Sequence, residues 1–259
     1  MNDTRYKVGL FVPCCIDQFA AGTAWKALRL LEAMGLECYY PTAFTCCGRE
    51  LYNQGDREGA KMLGEKLIEL YSECTHVVSC SSACVVYAQK QFPKLFHNTT
   101  LHNSYRLFVD KFYDISDFLV NVLHVDSASS EFRIPQFSFP HTVTVMDHCT
   151  TLSEYLCSAH PELPGLREEP RRLLRAVGGL TLVEMQQQDV CCGFGGFFAS
   201  QFTPISDSLA QRKCENAIAA GAEYIVSTEP GCLLHLQSYI DKNGLPLKCA
   251  HLMDVLNSD

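Results

Sequence analysis

The chain carries the same arrangement of cysteines twice, once in each half. Each half has a Cys-Cys-Gly triplet, a cysteine that ends an apolar run before it, and a further cysteine after it. The matching cysteines lie 135, 145 and 148 residues apart, and the pairs are Cys14 and Cys149, Cys46 and Cys191, and Cys84 and Cys232. This spacing indicates an internal duplication whose most regular feature is the placement of thiols. It predicts two metal or iron–sulfur sites held between paired halves.

Composition narrows the class of protein. The 259 residues, 47% of them hydrophobic, suffice for one large domain or for two of about 125 residues. A net charge of −8, with 21 Lys and Arg that form no basic run, argues against a nucleic-acid partner. No apolar stretch reaches the ~20 residues that span a bilayer, and the N-terminus lacks the pattern of a secretory signal. A cytoplasmic location is therefore expected.

Fifteen cysteines need a chemical explanation. The reducing cytosol disfavours a disulfide framework, and a chain of this length builds a core without one. Five cysteines fit helix or strand positions and are predicted to be small apolar fillers: Cys38, Cys74, Cys157, Cys214 and Cys249. The repeated set is instead predicted to bind a metal or a cluster.

Strand-like and helical patterns alternate in both halves, which favours parallel sheets. The predicted strands cover 7–13, 37–40, 76–79, 142–147, 180–184 and 223–227, and the predicted helices cover 20–34, 57–73, 151–157, 170–177 and 206–220. The expected fold is α/β, with two duplicated doubly wound parallel-sheet units, Rossmann- or flavodoxin-like, related by a pseudo-twofold axis. The expected division is an N-terminal repeat over 1–124, a linker over 125–141 and a C-terminal repeat over 142–259.

The cysteines fall where such a scaffold binds ligands. In open α/β sheets the binding crevice lies beyond the carboxyl ends of the strands, and helices that begin there add amide donors that stabilise thiolates. The cysteines at or just past those ends are Cys14, Cys80 or Cys84, Cys149 and Cys232. Adjacent cysteines reach one site only in a turn, and the glycines that supply its backbone freedom are Gly48, Gly193, Gly195 and Gly196.

Three segments carry a resemblance to a known family. The sequences TCCGRELYNQG, DVCCGFGGFFASQF and EPGCLLHLQ resemble those of the cysteine-rich CCG-domain iron–sulfur proteins. That family includes the CCG-containing component of heterodisulfide reductase and the iron–sulfur subunits of glycolate oxidase and anaerobic glycerol-3-phosphate dehydrogenase. It also includes the lactate utilization protein A family, to which this short chain is most similar. The resemblance extends from Val8 to Leu256.

The resemblance implies an iron–sulfur subunit that passes electrons in the oxidation of a 2-hydroxy acid, above all of L-lactate to pyruvate. It implies as partners the other subunits of a lactate-oxidation complex, including a second iron–sulfur protein. The sequence contains no recognisable flavin motif, phosphate-binding loop or catalytic triad. Catalytic residues therefore stay unassigned, and hydride or proton chemistry is expected of a partner.

Carried over position by position, the family's ligand pattern gives two sets of cysteines. They are Cys14, Cys46, Cys47 and Cys84, with Cys80 as a further candidate, and Cys149, Cys191, Cys192 and Cys232. In heterodisulfide reductase each motif holds a noncubane cluster through five cysteines that end in Cys-x-x-Cys. This chain has Ser81 and Glu229 at the first of those positions. Four ligands suit a [4Fe-4S] cubane, with zinc as the alternative in one half. Cys15 remains an alternative to Cys14.

Several other residues stand close to these motifs. His148 is expected to have a loop or supporting role rather than to be a ligand, and His251 is expected to be structural. Asp147 is expected to cap a helix, and the alternatives are that it accepts from an amide near the cluster or acts on a substrate proton. The aromatic residues after the second pair form either a dry shell around the sulfurs or ordinary core, and they are Phe194, Phe197, Phe198 and Phe202.

Three functions remain open on the sequence alone. The first is an iron–sulfur electron-transfer subunit of a lactate-oxidising complex. The second is a thiol–disulfide or heterodisulfide reductase subunit, which an intact fifth cysteine would favour. The third is a zinc-stabilised assembly module without a redox role.

Overall fold

The computed structural model describes residues 6–41, 43, 46–154 and 166–258. They belong to two compact units, the first ending at Phe118 and the second beginning at Leu119. Within the described ranges each unit is a parallel four-stranded sheet with helices between its strands. The predicted duplicated α/β fold is thereby confirmed. The pseudo-twofold relation and the division at residues 124 and 141 stay predictions.

The first unit alternates strands and helices. Its strands are β1 (Lys7–Phe11), β2 (Glu37–Tyr39), β3 (His76–Ser79) and β4 (Phe112–Asp114). Its helices are α1 (Cys14–Phe19), α2 (Ala21–Ala33), α3 (Arg49–Asn53), α4 (Arg57–Leu70), α5 (Ser82–Phe96), α6 (His102–Asp110) and α7 (Ile115–Asp117). A π-helical turn, Phe118–Val122, follows the last of them.

The second unit repeats this alternation. Its strands are β5 (Thr142–Val145), β6 (Thr181–Val183), β7 (Tyr224–Ser227) and β8 (Lys248–His251). Its helices are α8 (Cys149–Glu154), α9 (Glu168–Arg175), α10 (Phe197–Gln201), α11 (Thr203–Ala219), α12 (Pro230–Asn243) and α13 (Leu252–Val255). The predicted linker segment 125–141 contains one isolated bridge, between Ser138 and Gly178, and no regular element.

The two sheets have the same strand order. It is β2-β1-β3-β4 in the first unit and β6-β5-β7-β8 in the second, with every pair parallel. The inner strands β1 and β3 therefore correspond to β5 and β7. Since the strands within each sheet run parallel, the carboxyl ends of each inner pair lie side by side. The cysteine segments follow directly from those ends.

An apolar cluster in each unit supports the cysteines. The first cluster is rich in aromatic rings, such as those of Phe11 and Phe112, which meet edge to face at 5.7 Å, and it includes Cys47 and Cys84. The second is mainly aliphatic and includes Cys192 and Cys232. Full burial of one large apolar side chain contributes about 1.5–3 kcal/mol. The buried cysteines of both sets therefore sit on well-packed cores.

The predicted elements agree with the structure except at their ends. The helix predicted over 57–73 ends at Leu70, because the next residue, Tyr71, is buried and its hydroxyl donates to the carbonyl of Leu10 at 3.0 Å. The helix predicted over 151–157 begins at Cys149, and residues 155–157 lie outside the described residues. Nowhere in the described part of the chain is a helix long and apolar enough to cross a membrane.

Candidate metal centres

The first unit brings four predicted cysteines into contact. Cys14 begins α1 just after β1, and Cys84 lies in the first turn of α5 after β3. The Sγ atoms of Cys14 and Cys46 are 3.9 Å apart, and those of Cys47 and Cys84 are 3.3 Å apart. A hydrogen bond also joins Cys46 and Cys47. Contacts between neighbouring sulfurs thus connect all four cysteines from Cys14 to Cys84, and we call this set the first row.

The second unit contains a matching series of sulfur contacts, which we call the second row. The Sγ atoms of Cys149 and Cys191 are 3.9 Å apart, those of Cys192 and Cys232 are 2.8 Å apart, and Cys191 hydrogen-bonds Cys192. None of the fourteen cysteines within the described ranges is joined in a disulfide. Each row is formed within one unit, whereas the sequence suggests sites held between the halves.

A serine at the end of β3, and another at the end of β7, turns the chain toward the last cysteine of its row. Ser79 Oγ accepts from the N–H of Ser81 at 3.0 Å, and Ser227 Oγ accepts from the N–H of Glu229 at 3.2 Å. Ser81 then caps α5, since its own Oγ accepts from the N–H of Cys84 at 3.4 Å. Ser81, which stands where the five-cysteine pattern has a thiol, therefore fixes the helix that carries Cys84.

A glycine in the left-handed region closes each Cys-Cys turn. Gly48 has a φ of 88° and Gly193 a φ of 91°. A Cβ at Gly48 would come within 2.9 Å of the carbonyl oxygen of Ala60, and one at Gly193 within 2.4 Å of that of Ser206. Each turn therefore packs directly on a helix, α4 or α11, at a distance that only glycine permits. The amides of Gly48 and Gly193 donate to Cys46 and Cys191 at 3.5 Å and 3.4 Å.

Hydrogen bonding favours a thiolate at the first cysteine of each pair. The pKa of Cys46 is lowered foremost by its hydrogen bonds with the thiols of Cys14 and Cys47, and the amide of Gly48 adds to this effect. The pKa of Cys191 is lowered in the same manner, and its donors are Cys149, Cys192 and the amide of Gly193. Both rows therefore contain a stabilised anionic sulfur, which is the form that binds metals.

The neighbours of these thiolates remain protonated. The pKa of Cys14 is raised by hydrogen bonds to Cys15 and Cys46, and the pKa of Cys149 by its hydrogen bond to Cys191. Cys15 thus touches the first row through Cys14, and the choice between them as ligand stays a prediction. Cys80 is fully buried just after β3, and its ligation likewise stays a prediction.

The two residues that precede Cys149, Asp147 and His148, lie near the second row. His148 is buried and hydrogen-bonds Cys232, an interaction that helps to lower the pKa of that thiol to about 7, after the larger effect of Cys192. Asp147 does not form the predicted helix cap. It accepts instead from Arg171 Nη1 at 2.8 Å, because the buried guanidinium needs carboxylate partners.

Sequence reasoning missed two polar residues beside the rows. Tyr87, buried in the first unit, has a hydroxyl without a hydrogen-bond partner among the described residues, and burial, followed by the charge of Cys47, raises the pKa of that hydroxyl. Lys213, on α11, is buried beside the second row. Neither belongs to a recognisable motif, and only the packing of α5 and α11 on the cysteine turns brings them to the sites.

Among the described residues, no hydrogen bond between sulfurs joins a predicted filler cysteine to either row. Cys74 and Cys214 are buried in the apolar clusters, Cys38 and Cys249 are half-buried in β2 and β8, and Cys157 lies outside the described residues. Burial raises the pKa of Cys214 to about 11. His251 caps α13 by accepting from the N–H of Met253 at 3.1 Å, in keeping with a structural histidine.

The phenylalanines after the second pair do not act as one group. Phe194 packs on the first turn of α12, where a Cβ at Gly231 would meet its ring at 2.5 Å. Phe197 and Phe202 are each 52% exposed. The interpretation as a dry shell therefore fits Phe194 alone, and neither alternative fits the two exposed rings.

The donor sets suit a soft metal or an iron–sulfur cluster. Each row offers four sulfurs and an amide hydrogen bond to sulfur, and thiolates are the ligands that zinc and iron–sulfur clusters share. The buried hydroxyl of Tyr87 is an available donor beside the first row. Within the described ranges, no three Cys, His, Asp or Glu side chains converge as they would around one ion.

Comparison with known proteins places the chain in a family. A model described as "CCG: Cysteine-rich domain" matches residues 8–87 and 144–237, which include both rows. The chain therefore belongs to the CCG cysteine-rich domain family.

Relatives within that family match over almost the whole chain. The chain is 32% identical over 253 residues to "Lactate utilization protein A 1" of Bacillus cereus (strain AH820), covering 97% of this chain and 99% of that protein. The same identity and coverage hold for "Lactate utilization protein A" of Bacillus thuringiensis (strain Al Hakam). Among solved structures, a putative Asp/Glu racemase from Yersinia pestis is 8% identical with a TM-score of 0.38, covering 96% of this chain and 95% of that one. So low a score supports no argument.

Proposed function

We propose that the chain is an iron–sulfur electron-transfer subunit of a complex that oxidises a 2-hydroxy acid, namely L-lactate to pyruvate. The observation that carries the proposal is the pair of matching four-cysteine rows at the carboxyl ends of two parallel sheets. The relatives named for lactate utilization, which match 97% of the chain, supply the substrate.

The rows favour a multi-iron cluster over a single zinc ion. In a [4Fe-4S] cluster each cysteine binds a different iron, whereas one tetrahedral zinc needs all four sulfurs around a single point, and among the described residues no three Cys, His, Asp or Glu side chains converge in that way. The first-row ligands are then Cys14, Cys46, Cys47 and Cys84, and the second-row ligands are Cys149, Cys191, Cys192 and Cys232. When bound, such a cluster supplies reversible one-electron transfer.

The chain's own residues bind and tune rather than react with lactate. Oxidation of lactate to pyruvate releases two electrons and two protons, which in this proposal a partner subunit removes before the electrons reach the rows singly. Since Ser81 caps α5 in place of a fifth cysteine, relay is favoured over disulfide reduction. The partners are the other subunits of the complex, including a second iron–sulfur protein. The free thiols fit a reducing compartment, the cytoplasm.

The test of this function is reduction by lactate. The protein, purified anaerobically and combined with its partner subunits, is mixed with L-lactate while visible absorption and electron paramagnetic resonance are recorded. We expect bleaching and a reduced-cluster signal that depend on lactate and on every subunit, with D-lactate and pyruvate as controls. Clusters that dithionite reduces but lactate does not, with all partners present, would refute the lactate assignment.

A further inference from the structure

A lysine is buried in the wall of the second site. Lys213 is 1% exposed, and its Nζ donates to the carbonyl oxygen of Gln188 at 3.0 Å. Gln188 lies in the segment that leads to Cys191. Lys213 shares a face of α11 with Ser206, whose hydroxyl donates to the carbonyl of Gly193 at 2.8 Å. The ammonium therefore lies between the helix and the loop that carries the Cys-Cys turn.

The charged form of this buried lysine needs a nearby negative charge. A lone charge in a protein interior is strongly unfavourable unless it is paired, and one carbonyl satisfies only one of its three donors. Among the described residues no carboxylate lies within ion-pair distance of Lys213. Burial lowers its pKa, and the negative charges that oppose this effect are foremost those of Cys192, Cys191 and Cys232, ahead of Asp189.

The first unit has an apolar residue at the matching position. The close contacts of Gly48 with Ala60 and Leu63 on α4 correspond to those of Gly193 with Ser206 and Leu209 on α11, an offset of 146 residues at both helix positions. The same offset pairs Lys213 with Leu67, which is fully buried in the first apolar cluster. The two rows thus have corresponding sulfurs, but only the second has a lysine at this helix position.

A polar network holds the carbonyl that anchors Lys213. The amide of Gln188 donates to the carbonyl of Val145 at 3.0 Å and to Glu184 at 3.0 Å. Glu184 in turn pairs with Arg171, which also pairs with Asp147. These two carboxylates are thereby engaged by the guanidinium.

We propose that Lys213 is a buried counter-cation for the second row, a positioning residue that stabilises the negative charge of an iron–sulfur cluster held there and has no equivalent at the first row. The inference rests on the proposed function. Because one-electron reduction adds negative charge, the ammonium favours the reduced form of the second site. Glu229, buried next to this row, acts in the opposite sense, so the prediction concerns the effect of Lys213 alone.

The test compares Lys213→Met, Lys213→Arg and Leu67→Met by redox titration of the full chain, followed by electron paramagnetic resonance. Met keeps the unbranched stem but removes the charge. We expect Lys213→Met to lower one of the two midpoint potentials by ~59 mV, which is a tenfold change in a one-electron reduction equilibrium. Lys213→Arg retains the charge and is expected to stay near wild type. Leu67→Met, the matched control at the first row, is expected to move neither midpoint.

A second measurement separates a counter-cation from a structural lysine. In the iron-free chain, Lys213→Met is expected to unfold at the same temperature as wild type or higher, because removing a buried charge is commonly neutral or stabilising. An unchanged pair of midpoints, or an iron-free variant that fails to fold, would overturn the inference while leaving the proposed function intact. A wild-type chain that binds no cluster would overturn both.

Discussion

The pKa of a single thiol in this chain depends on the groups that donate hydrogen bonds to its sulfur. Cys191 and Cys38 are both half-buried, yet they differ in ionisation. Hydrogen bonds from Cys149 and Cys192 lower the pKa of Cys191, whereas burial raises the pKa of Cys38 to about 12. In reduced protein freed of metal, we expect iodoacetamide at pH 7 to label Cys191 far faster than Cys38, with mass spectrometry as the readout. Equal labelling rates would contradict this assignment of the thiolate.

Replacing a predicted ligand cysteine by serine is expected to change the iron content, whereas replacing a predicted filler cysteine is not. Cys192→Ser is expected to remove roughly half of the bound iron and to destabilise the second unit, because cluster ligation is coupled to folding. Cys214→Ser, a buried control in the same apolar cluster, is expected to leave the iron content unchanged. Iron content is measured colorimetrically per chain. Equal iron loss in the two variants would show that the division into ligands and fillers is wrong.

Residues within motifs can be predicted from the sequence, and residues brought in by packing cannot. The repeated spacing, together with the family's pattern, points to the cysteines of both rows and the glycines of their turns, with Cys15 and Cys80 left as further candidates. Lys213 and Tyr87 carry no such signal, because a single polar residue on an amphipathic helix resembles any solvent-facing one until the helix is packed. The helix cap predicted for Asp147 is wrong for the same reason, since its partner Arg171 lies 24 residues away along the chain.

At the scale of elements, the Cys-Cys turn depends on its contact with a helix. Gly193→Ala is expected to displace the second row, because its Cβ would meet the Ser206 carbonyl at 2.4 Å and its φ is 91°. Gly221→Ala is the matched control, with a φ of 77° and nothing within 4 Å. Both variants should lose about 1–3 kcal/mol of unfolding free energy from backbone strain.

Only Gly193→Ala should also lose iron from the second site. Chemical denaturation measures the first effect, and iron analysis with electron paramagnetic resonance measures the second. Full retention of iron in Gly193→Ala would contradict the role of this turn.

The alternation of elements is predictable from the sequence, whereas the beginnings of helices near the cysteines are less so. The apolar runs of β1, β3, β5 and β7 mark the inner strands. The short helix α1, which starts at Cys14, escapes prediction because six residues give too few turns for a helical pattern to be recognised. That helix orients Cys14 toward Cys46, so the sequence identifies the cysteine but not the element that positions it.

At the scale of the whole molecule, duplication has produced two rows that are each complete within one unit. We therefore expect Cys47→Ser and Cys192→Ser to act independently, each removing one site, and the double variant to remove both. Iron content and the spectra of the three variants test this additivity. Loss of all iron in either single variant would instead indicate one site shared by the two halves.

The two units nevertheless differ in charge. Beside matching sulfurs, the first has the apolar Leu67 where the second has Lys213. Under the proposed function, this difference would give the two sites different potentials, which suits a relay between a donor and an acceptor.

Elemental analysis of the anaerobically purified chain tests whether each row holds an iron–sulfur cluster. Iron, acid-labile sulfide and zinc are measured per chain in one preparation. Two four-iron clusters predict about eight iron and eight sulfide per chain, with negligible zinc. Near-stoichiometric zinc without acid-labile sulfide would contradict the account.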